Sequence, residues 1–152
     1  MRLLIAEKPS VAKDYKELLE RVEGERFIQK HGYYESQNTW ISWCVGHLVA
    51  LTGPEEYGWK EWTLKDLPMI PREWKFEISQ NTKDQFKVLR ELMRNAAFII
   101  NGGDAGREGE LIYRLVVQEA GCQGKPQWRL WLNSMAPADM TPQERIVIWP
   151  KS

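Results

Sequence analysis

Two short apolar segments of this chain each run into a polar loop and then into a stretch with helical periodicity, and this repeated order constrains the fold more than any other feature. The first apolar segment spans residues 2–6, Ser10 is the predicted N-cap of the helix after it, and Gly24 fits the end of that helix. The second spans residues 97–100 and precedes a helix predicted to end at Gly121. Strands that alternate with helices predict an α/β domain with a mainly parallel sheet flanked by helices.

The middle of the chain has weaker patterns. Residues 27–28 and 40–45 look like short strands around a polar turn region at 32–38, which predicts a small β-hairpin insertion. Residues 52–74 are rich in Trp and Pro and have no period, so they predict an ordered loop held by aromatic packing. Residues 82–85 have a capping-box pattern and predict the start of a further helix.

Length and periodicity together predict one compact domain. With 152 residues and 43% hydrophobic content, the chain can bury one core but is short for two domains. A last short strand is predicted at residues 130–132, and periodicity is then lost. We therefore expect a domain over residues 1–135 and, over residues 136–152, a frayed tail or the start of a further domain.

Charge and cysteine content exclude several kinds of protein. Lys plus Arg and Asp plus Glu each total 21, so no overall positive field attracts nucleic acid, and any DNA contact must be local. Cys44 and Cys122 form neither a CxxC pair nor a dense framework, so we expect reduced thiols. The apolar residues 3–6 are too few for a signal peptide or a membrane span, so we expect a soluble intracellular protein without a membrane partner.

The loop at residues 102–109 joins a predicted strand to a helix N-terminus, which is a common place for phosphate binding. It lacks the GK[ST] of a P-loop and the GxGxxG spacing of a dinucleotide site. It carries Asp104 and Glu108 instead. Because two carboxylates repel a phosphate unless a divalent cation lies between them, this loop indicates a metal site before a nucleotide site.

A second charged pair, Glu7 and Lys8, follows the first predicted strand. Sites in open α/β sheets form at the carboxyl ends of strands. If the two strands are neighbours, Glu7, Asp104 and Glu108 converge as oxygen ligands suited to Mg²⁺, and Lys8 and Arg107 flank them. Such a mixture suits phosphodiester chemistry, in which a cation stabilises charge on the phosphate and a carboxylate or water moves protons.

The same residues also have purely structural explanations. Glu108 near a helix N-terminus is favoured by the helix dipole, Asp104 can be an N-cap, and Arg107 can pair with either of them. His47 could bind phosphate or hydrogen-bond a catalytic group, but a single His beside apolar residues is more often structural. The Trp-rich segment is explained first as core and second as a base-stacking surface.

Three ordered motifs resemble those of type IA DNA topoisomerases, namely IAEKPSVA at residues 5–12, GHL at 46–48 and DAGREGELI at 104–112. RLWLNSM at residues 129–135 is similar to the segment that leaves this domain in the bacterial topoisomerase III branch, which the chain resembles most. The resemblance covers residues 1–135. It implies a TOPRIM fold, which is a Rossmann-like, mainly parallel sheet between helices, and a Mg²⁺ site that helps to hold DNA for rejoining.

Carried over position by position, the resemblance assigns roles to the candidate residues. Glu7 would lie at the scissile phosphate, next to the metal, and Lys8 would stabilise the phosphate charge. Asp104 matches the first metal aspartate and Glu108 the glutamate of the usual DxDxE pattern. Gly106 occupies the place of the second aspartate, as in a DAGREGE variant of the branch, which implies fewer carboxylate contacts to Mg²⁺.

The family's reaction cuts one DNA strand through a phosphotyrosine link, passes another strand and reseals the first without ATP. Lys8, His47 and Arg107 are the expected contacts to a single-stranded segment of DNA, and Arg107 is also an expected catalytic residue. The nucleophilic tyrosine belongs to a later domain, and none of this chain's tyrosines lies in a matching motif: Tyr15, Tyr33, Tyr34, Tyr57 and Tyr113. We therefore expect a fragment of a bacterial, cytoplasmic, nucleoid-associated enzyme that needs the remaining topoisomerase domains to cleave DNA.

Two other functions remain open. The chain could be a stand-alone TOPRIM nuclease or primase-like protein, which Mg²⁺-dependent nicking by the purified chain would favour. It could also be a non-catalytic DNA-binding or partner-binding module that lost a ligand at Gly106. DNA binding without any effect of Mg²⁺ on stability would favour that function.

Overall fold

The computed structural model describes residues 1–61, 63–104 and 106–130 and the backbone of residues 149–150. Its helices are α1 (Pro9–Val22), α2 (Lys83–Asn95) and α3 (Arg107–Glu119). Its strands are β1 (Arg2–Ala6), β2 (Ile28–Lys30), β3 (Tyr33–Glu35), β4 (Thr39–Trp43), β5 (Val49–Leu51), β6 (Phe76–Ile78), β7 (Phe98–Gly102), β8 (Gln127–Arg129) and β9 (Trp149–Pro150). Short 3-10 helices lie between β5 and α2, at Pro54–Tyr57, Leu64–Asp66 and Gln80–Thr82.

The main sheet has the strand order β2-β3-β4-β1-β7-β8-β9. Its central strands β4, β1, β7 and β8 are parallel, and antiparallel strands extend it on both sides. Ala6 pairs with Trp43 on one side and with Gly102 on the other, while Asn101 pairs with Arg129. The carboxyl ends of four parallel strands therefore meet at one edge of the sheet. The predicted α/β fold with a mainly parallel sheet flanked by helices is confirmed.

Alternate side chains of β1 fill the two faces of this sheet. Leu3 and Ile5 belong to the core under α2 and α3, whereas Leu4 and Ala6 belong to the core under α1. All four residues are at most 3% exposed. Because β1 is covered on both faces, its sequence is a continuous apolar run rather than an alternating one.

Helix α1 begins earlier than predicted, whereas α2 begins directly after Thr82, as the capping-box pattern predicted. The N-cap of α1 is Lys8 and not Ser10, because Pro9 occupies the first helical position, where its fixed φ and missing N–H cost nothing. Gly24 follows α1 with a φ of 68°, as the predicted helix end requires. The capping box before α2 does not form, since the Thr82 hydroxyl donates to the Ser79 carbonyl instead. None of the helices in the described part of the chain has the length and apolarity to cross a membrane.

The short strands correct the prediction in three places. The predicted turn region at 32–38 contains β3, so the insertion is a β2-β3 hairpin that continues antiparallel into β4. β5 and β6, which were not predicted, pair on either side of the Trp-rich segment, and the described residues of that segment contain no strand. In place of the strand predicted at residues 130–132, β8 ends at Arg129, and residues 131–132 lie outside the described residues, as does most of the predicted tail.

Candidate functional site

The structure brings two of the predicted residues together at the carboxyl edge of the sheet. Glu7 directly follows β1, and Asp104 lies two residues after β7, the neighbouring parallel strand. The Asp104 backbone N–H donates to Glu7 Oε2 at 3.2 Å. The Glu7 carboxylate therefore contacts the backbone of the β7–α3 loop (residues 103–106).

Gly109, in the first turn of α3, lies directly against the contact between Glu7 and Asp104. A Cβ at this position would lie 3.0 Å from the Asp104 carbonyl oxygen, 3.1 Å from Glu7 Oε2 and 3.3 Å from the Asp104 nitrogen. Such distances are tighter than almost all real Cβ contacts. Because residue 109 is glycine, the helix approaches both acidic residues this closely without displacing either of them.

Glu108 and His47 form a separate pair at the same edge. Glu108 Oε1 lies 3.3 Å from His47 Nε2, and the two side chains are 78% and 49% exposed. Glu108 lies in the first turn of α3, where the helix dipole stabilises an acidic group. His47, predicted to contact phosphate or a catalytic group, thus contacts the carboxylate that the resemblance assigns to metal.

Lys8 and Arg107 are exposed and carry the positive charge of this edge. Neither side chain forms an ion pair with any residue in the described ranges. The structural explanation of Arg107, which was pairing with Asp104 or Glu108, is therefore not realised. Both cations are available to an anionic ligand.

Residues 2–134 match the model of the Toprim domain family. The chain belongs to the Toprim family. It is 40% identical over 137 residues to the DNA topoisomerase 3 of Staphylococcus epidermidis (strain ATCC 12228 / FDA PCI 1200) and 41% identical to that of Staphylococcus saprophyticus (strain ATCC 15305). A putative DNA topoisomerase 3 of Staphylococcus aureus (strain bovine RF122 / ET3-1) is 40% identical. Each match covers 88% of this chain but 18% of the relative.

These matches confirm the resemblance predicted from the motifs. They also set its scope, because this Toprim chain spans only 18% of the length of the curated relatives it matches. The match covers the whole α/β unit, from β1 through β8.

The donors at the carboxyl edge of this Toprim domain fit a hard cation chemically, because Glu7, Asp104 and Glu108 all offer carboxylate oxygens. They do not form a closed site, however. Among the described residues, no three His, Cys, Asp or Glu side chains lie close enough together to hold a metal ion. Glu7 and Asp104 are in contact through the backbone, while Glu108 is turned towards His47. A cation held here needs further oxygens from water or from a ligand.

Cys44 lies beneath Glu7 but offers no thiolate to such a cation. Burial, and then the charge of Glu7, raise the pKa of the Cys44 thiol to about 12. A pocket of about 10 Å³ between Cys44, Glu7 and Asn101 has room for roughly one water molecule. The carboxylates at this edge of the sheet therefore lie on an open surface and do not enclose a metal site.

Sequence reasoning missed a set of residues that hold the β7–α3 loop from below. Arg129 Nη2 donates to the Gly103 and Asp104 carbonyls at 3.1 and 2.7 Å, and its Nη1 pairs with Glu110 at 2.6 Å. The buried Asn101 accepts from the Gly103 N–H at 2.9 Å and donates to Glu110 at 3.0 Å. Arg129 ends β8, so the rule that led to Glu7, that sites form where parallel strands end, could have found it.

Tyr15 is a second missed contact, from α1 on the opposite face of the sheet. Its hydroxyl donates to the Gly102 carbonyl at 2.7 Å in a buried position. Burial, and then the charge of Asp104, raise the pKa of Tyr15. The phenol therefore stays protonated and serves as a donor to the end of β7.

Proposed function

We propose that this chain is the Toprim part of a type IA DNA topoisomerase similar to topoisomerase III. In this proposal it helps to hold Mg²⁺ and the scissile phosphate of a single-stranded DNA segment during ATP-independent cleavage, strand passage and rejoining. In this proposal residues 1–135 form the domain, and residues 136–152 are a frayed tail or the start of the next domain. The enzyme acts in the bacterial cytoplasm at the nucleoid, because DNA is its substrate.

One observation carries the proposal. Two acidic residues contact each other at an edge of the sheet where two exposed cationic side chains have no ion-pair partner among the described residues. Glu7 and Asp104 meet through a 3.2 Å hydrogen bond, and Lys8 and Arg107 lie beside them in the chain. Phosphodiester chemistry needs both signs of charge, because cations bind the phosphate oxygens and carboxylates hold metal or protons. The similarity to three DNA topoisomerase 3 sequences supports DNA as the source of that phosphate.

The chain's own residues then have distinct roles. Lys8 and Arg107 bind the non-bridging phosphate oxygens, and the Glu7 carboxylate holds a proton or a water at the scissile phosphate. Asp104 would hold the cation, together with Glu7 and, after a turn of its exposed side chain, Glu108. When bound, Mg²⁺ would neutralise part of the phosphate charge.

The covalent step requires a nucleophile from the remaining topoisomerase domains. Tyr15 and Tyr113 are buried, and burial raises the pKa of both hydroxyls, so neither is suited to attack a phosphate. We therefore propose that the chain alone binds DNA and Mg²⁺ without cutting DNA. Mg²⁺-dependent nicking by the purified 152-residue chain would favour a stand-alone nuclease instead.

The open arrangement of the carboxylates favours one alternative, a non-catalytic DNA-binding module. In that case DNA would bind the chain with or without Mg²⁺, and Mg²⁺ would leave the melting temperature of the chain unchanged. A melting temperature that rises with Mg²⁺ would support the topoisomerase proposal, because a ligand that binds only the folded state stabilises it.

The decisive experiment is Glu7→Ala in the full-length protein that contains this domain. Loss of a general acid or base typically slows a reaction by about 100-fold or more, so relaxation of negatively supercoiled DNA should fall by at least that factor. Glu17→Ala is the matched control, because Glu17 is an exposed carboxylate on α1 that pairs only loosely with Lys13, at 3.8 Å. Relaxation by Glu7→Ala at the rate of Glu17→Ala would refute the proposal, provided that both variants fold.

A further inference from the structure

Side chains of this domain hydrogen-bond the backbone of the β7–α3 loop at Gly103 and Asp104, and also at Gly102 directly before the loop. The Gly102 carbonyl accepts from Tyr15, and the Gly103 and Asp104 carbonyls accept from Arg129. On the donor side, the Gly103 N–H is bonded to Asn101 and the Asp104 N–H to Glu7. No cation is needed to order these groups.

Arg129 is the centre of this arrangement. Its side chain is only 14% exposed, and one nitrogen of its guanidinium bridges two successive carbonyls while another pairs with Glu110. Glu110 is itself held by Asn101, which also accepts the Gly103 N–H. The hydrogen bonds thus form a ring that contains both the amide and the carbonyl of Gly103.

We infer that Arg129 is a positioning residue for Asp104, which fixes the loop so that the Asp104 amide meets Glu7 before any cation or phosphate arrives. This inference rests on the proposed function for its role in Mg²⁺ binding. The planar fork of an arginine can serve the two carbonyls and the Glu110 carboxylate at once. A lysine at the same position keeps the charge but has a single nitrogen, so it cannot reproduce this geometry.

The test compares Arg129→Lys with Arg114→Lys in the 152-residue chain. Arg114 pairs with the same Glu110 carboxylate, at 2.7 Å, but its side chain is 67% exposed and hydrogen-bonds none of the loop carbonyls that the structure describes. Amide hydrogen exchange followed by NMR reports the Gly103 and Asp104 hydrogen bonds individually. A titration with MgCl₂, followed at the Asp104 amide, reports cation binding.

In Arg129→Lys we expect the amides of Gly103 and Asp104 to exchange about tenfold faster, the effect of losing one charge-assisted hydrogen bond. The Mg²⁺ midpoint should rise roughly 10-fold, as for other residues that orient a metal ligand. Core amides such as that of Ile5 should keep their protection, and Arg114→Lys should match the wild type in all three measurements. Glu110→Gln, which leaves Arg129 in place but removes its charged partner, should give a smaller change in the same direction.

Wild-type exchange at Gly103 and Asp104 in Arg129→Lys would overturn the inference, and so would an equal loss of protection at Ile5, which would mean a general loss of stability. A wild-type chain that shows no response to MgCl₂ would instead count against the proposed metal function. The exchange rates would still decide the role of Arg129, because they are measured without the cation.

Discussion

Gly109→Ala tests the contact on which the candidate site depends. The added methyl group would lie between Glu7 Oε2, at 3.1 Å, and the Asp104 carbonyl oxygen, at 3.0 Å. Two of the three nearest atoms belong to the Asp104 backbone, which is held by other hydrogen bonds. The Glu7 carboxylate is the part that can move most easily, so the hydrogen bond from the Asp104 N–H to Glu7 should be lost.

The expected change in overall stability is small because two effects oppose each other. Overpacking by one methyl group costs about 1–3 kcal/mol. Alanine within a helix is about 1 kcal/mol more favourable than glycine, and Gly109 lies inside α3 with a buried, non-strained backbone. The free energy of unfolding should therefore fall by no more than about 2 kcal/mol, which for a domain of this size lowers Tm by up to roughly 8 °C.

At the site itself, the expected effect is weaker binding of Mg²⁺. Loss of the hydrogen bond between Asp104 and Glu7 corresponds to about 1 kcal/mol, or roughly fivefold weaker Mg²⁺ binding if both residues hold the cation. We would measure Tm with and without MgCl₂ and the exchange rate of the Asp104 amide. Gly124→Ala is the control, because a Cβ at Gly124 meets no described atom within 4 Å. An Asp104 amide that exchanges equally slowly in both variants would refute the reasoning.

Two further predictions concern contacts away from the carboxylates. Tyr15→Phe removes the donor to the buried Gly102 carbonyl and should lower the free energy of unfolding by about 1–3 kcal/mol in urea denaturation, whereas an unchanged urea midpoint would contradict the 2.7 Å hydrogen bond. Burial by itself would raise the pKa of Glu25. Hydrogen bonds from Ser36 and Thr39, together with the charge and the hydrogen bond of Arg2, outweigh this effect and lower the pKa. The stabilisation by Glu25 should therefore be complete above its ordinary pKa of 4.5 and be lost as the pH falls through the lower folded value. Glu25→Gln should be less stable than the wild type at pH 7, and a difference that persists unchanged in strong acid would contradict this sign.

The parts of the fold that sequence predicts well are those with local signals. β1 is an apolar run followed by the charged Glu7, and β7 begins with an apolar run and ends at Asn101 and Gly102, so both strands and the helices after them could be recognised within short windows. Their adjacency was a condition of the sequence argument, and the parallel pairing of Ala6 with Gly102 meets it. The contact between Glu7 and Asp104 then required only the rule that parallel strands end at the same edge.

The missed features depend on contacts between residues that are distant along the chain. Arg129 lies 25 residues after Asp104, and its hydrogen bonds require the register in which it pairs with Asn101. β5 and β6 have only three residues each, which is too short for a sequence window to detect a hydrophobic pattern, and Leu51 in β5 is 51% exposed. Sheet register and short edge strands are set by tertiary packing and not by local propensity.

Gly106 gives the position of Asp104 a particular importance in the proposed function. The resemblance assigns this position to a second aspartate, yet the backbone is extended, with a φ of −132°, and a Cβ would meet no described atom within 4 Å. Neither backbone conformation nor packing therefore requires glycine, and its presence removes a carboxylate without filling another structural need. With Glu108 turned towards His47, a cation at this edge would depend first on Asp104 and Glu7. In the proposed function, fewer ligands make the position of each one more important, and Arg129 and Gly109 are the residues that would fix the positions of Asp104 and Glu7.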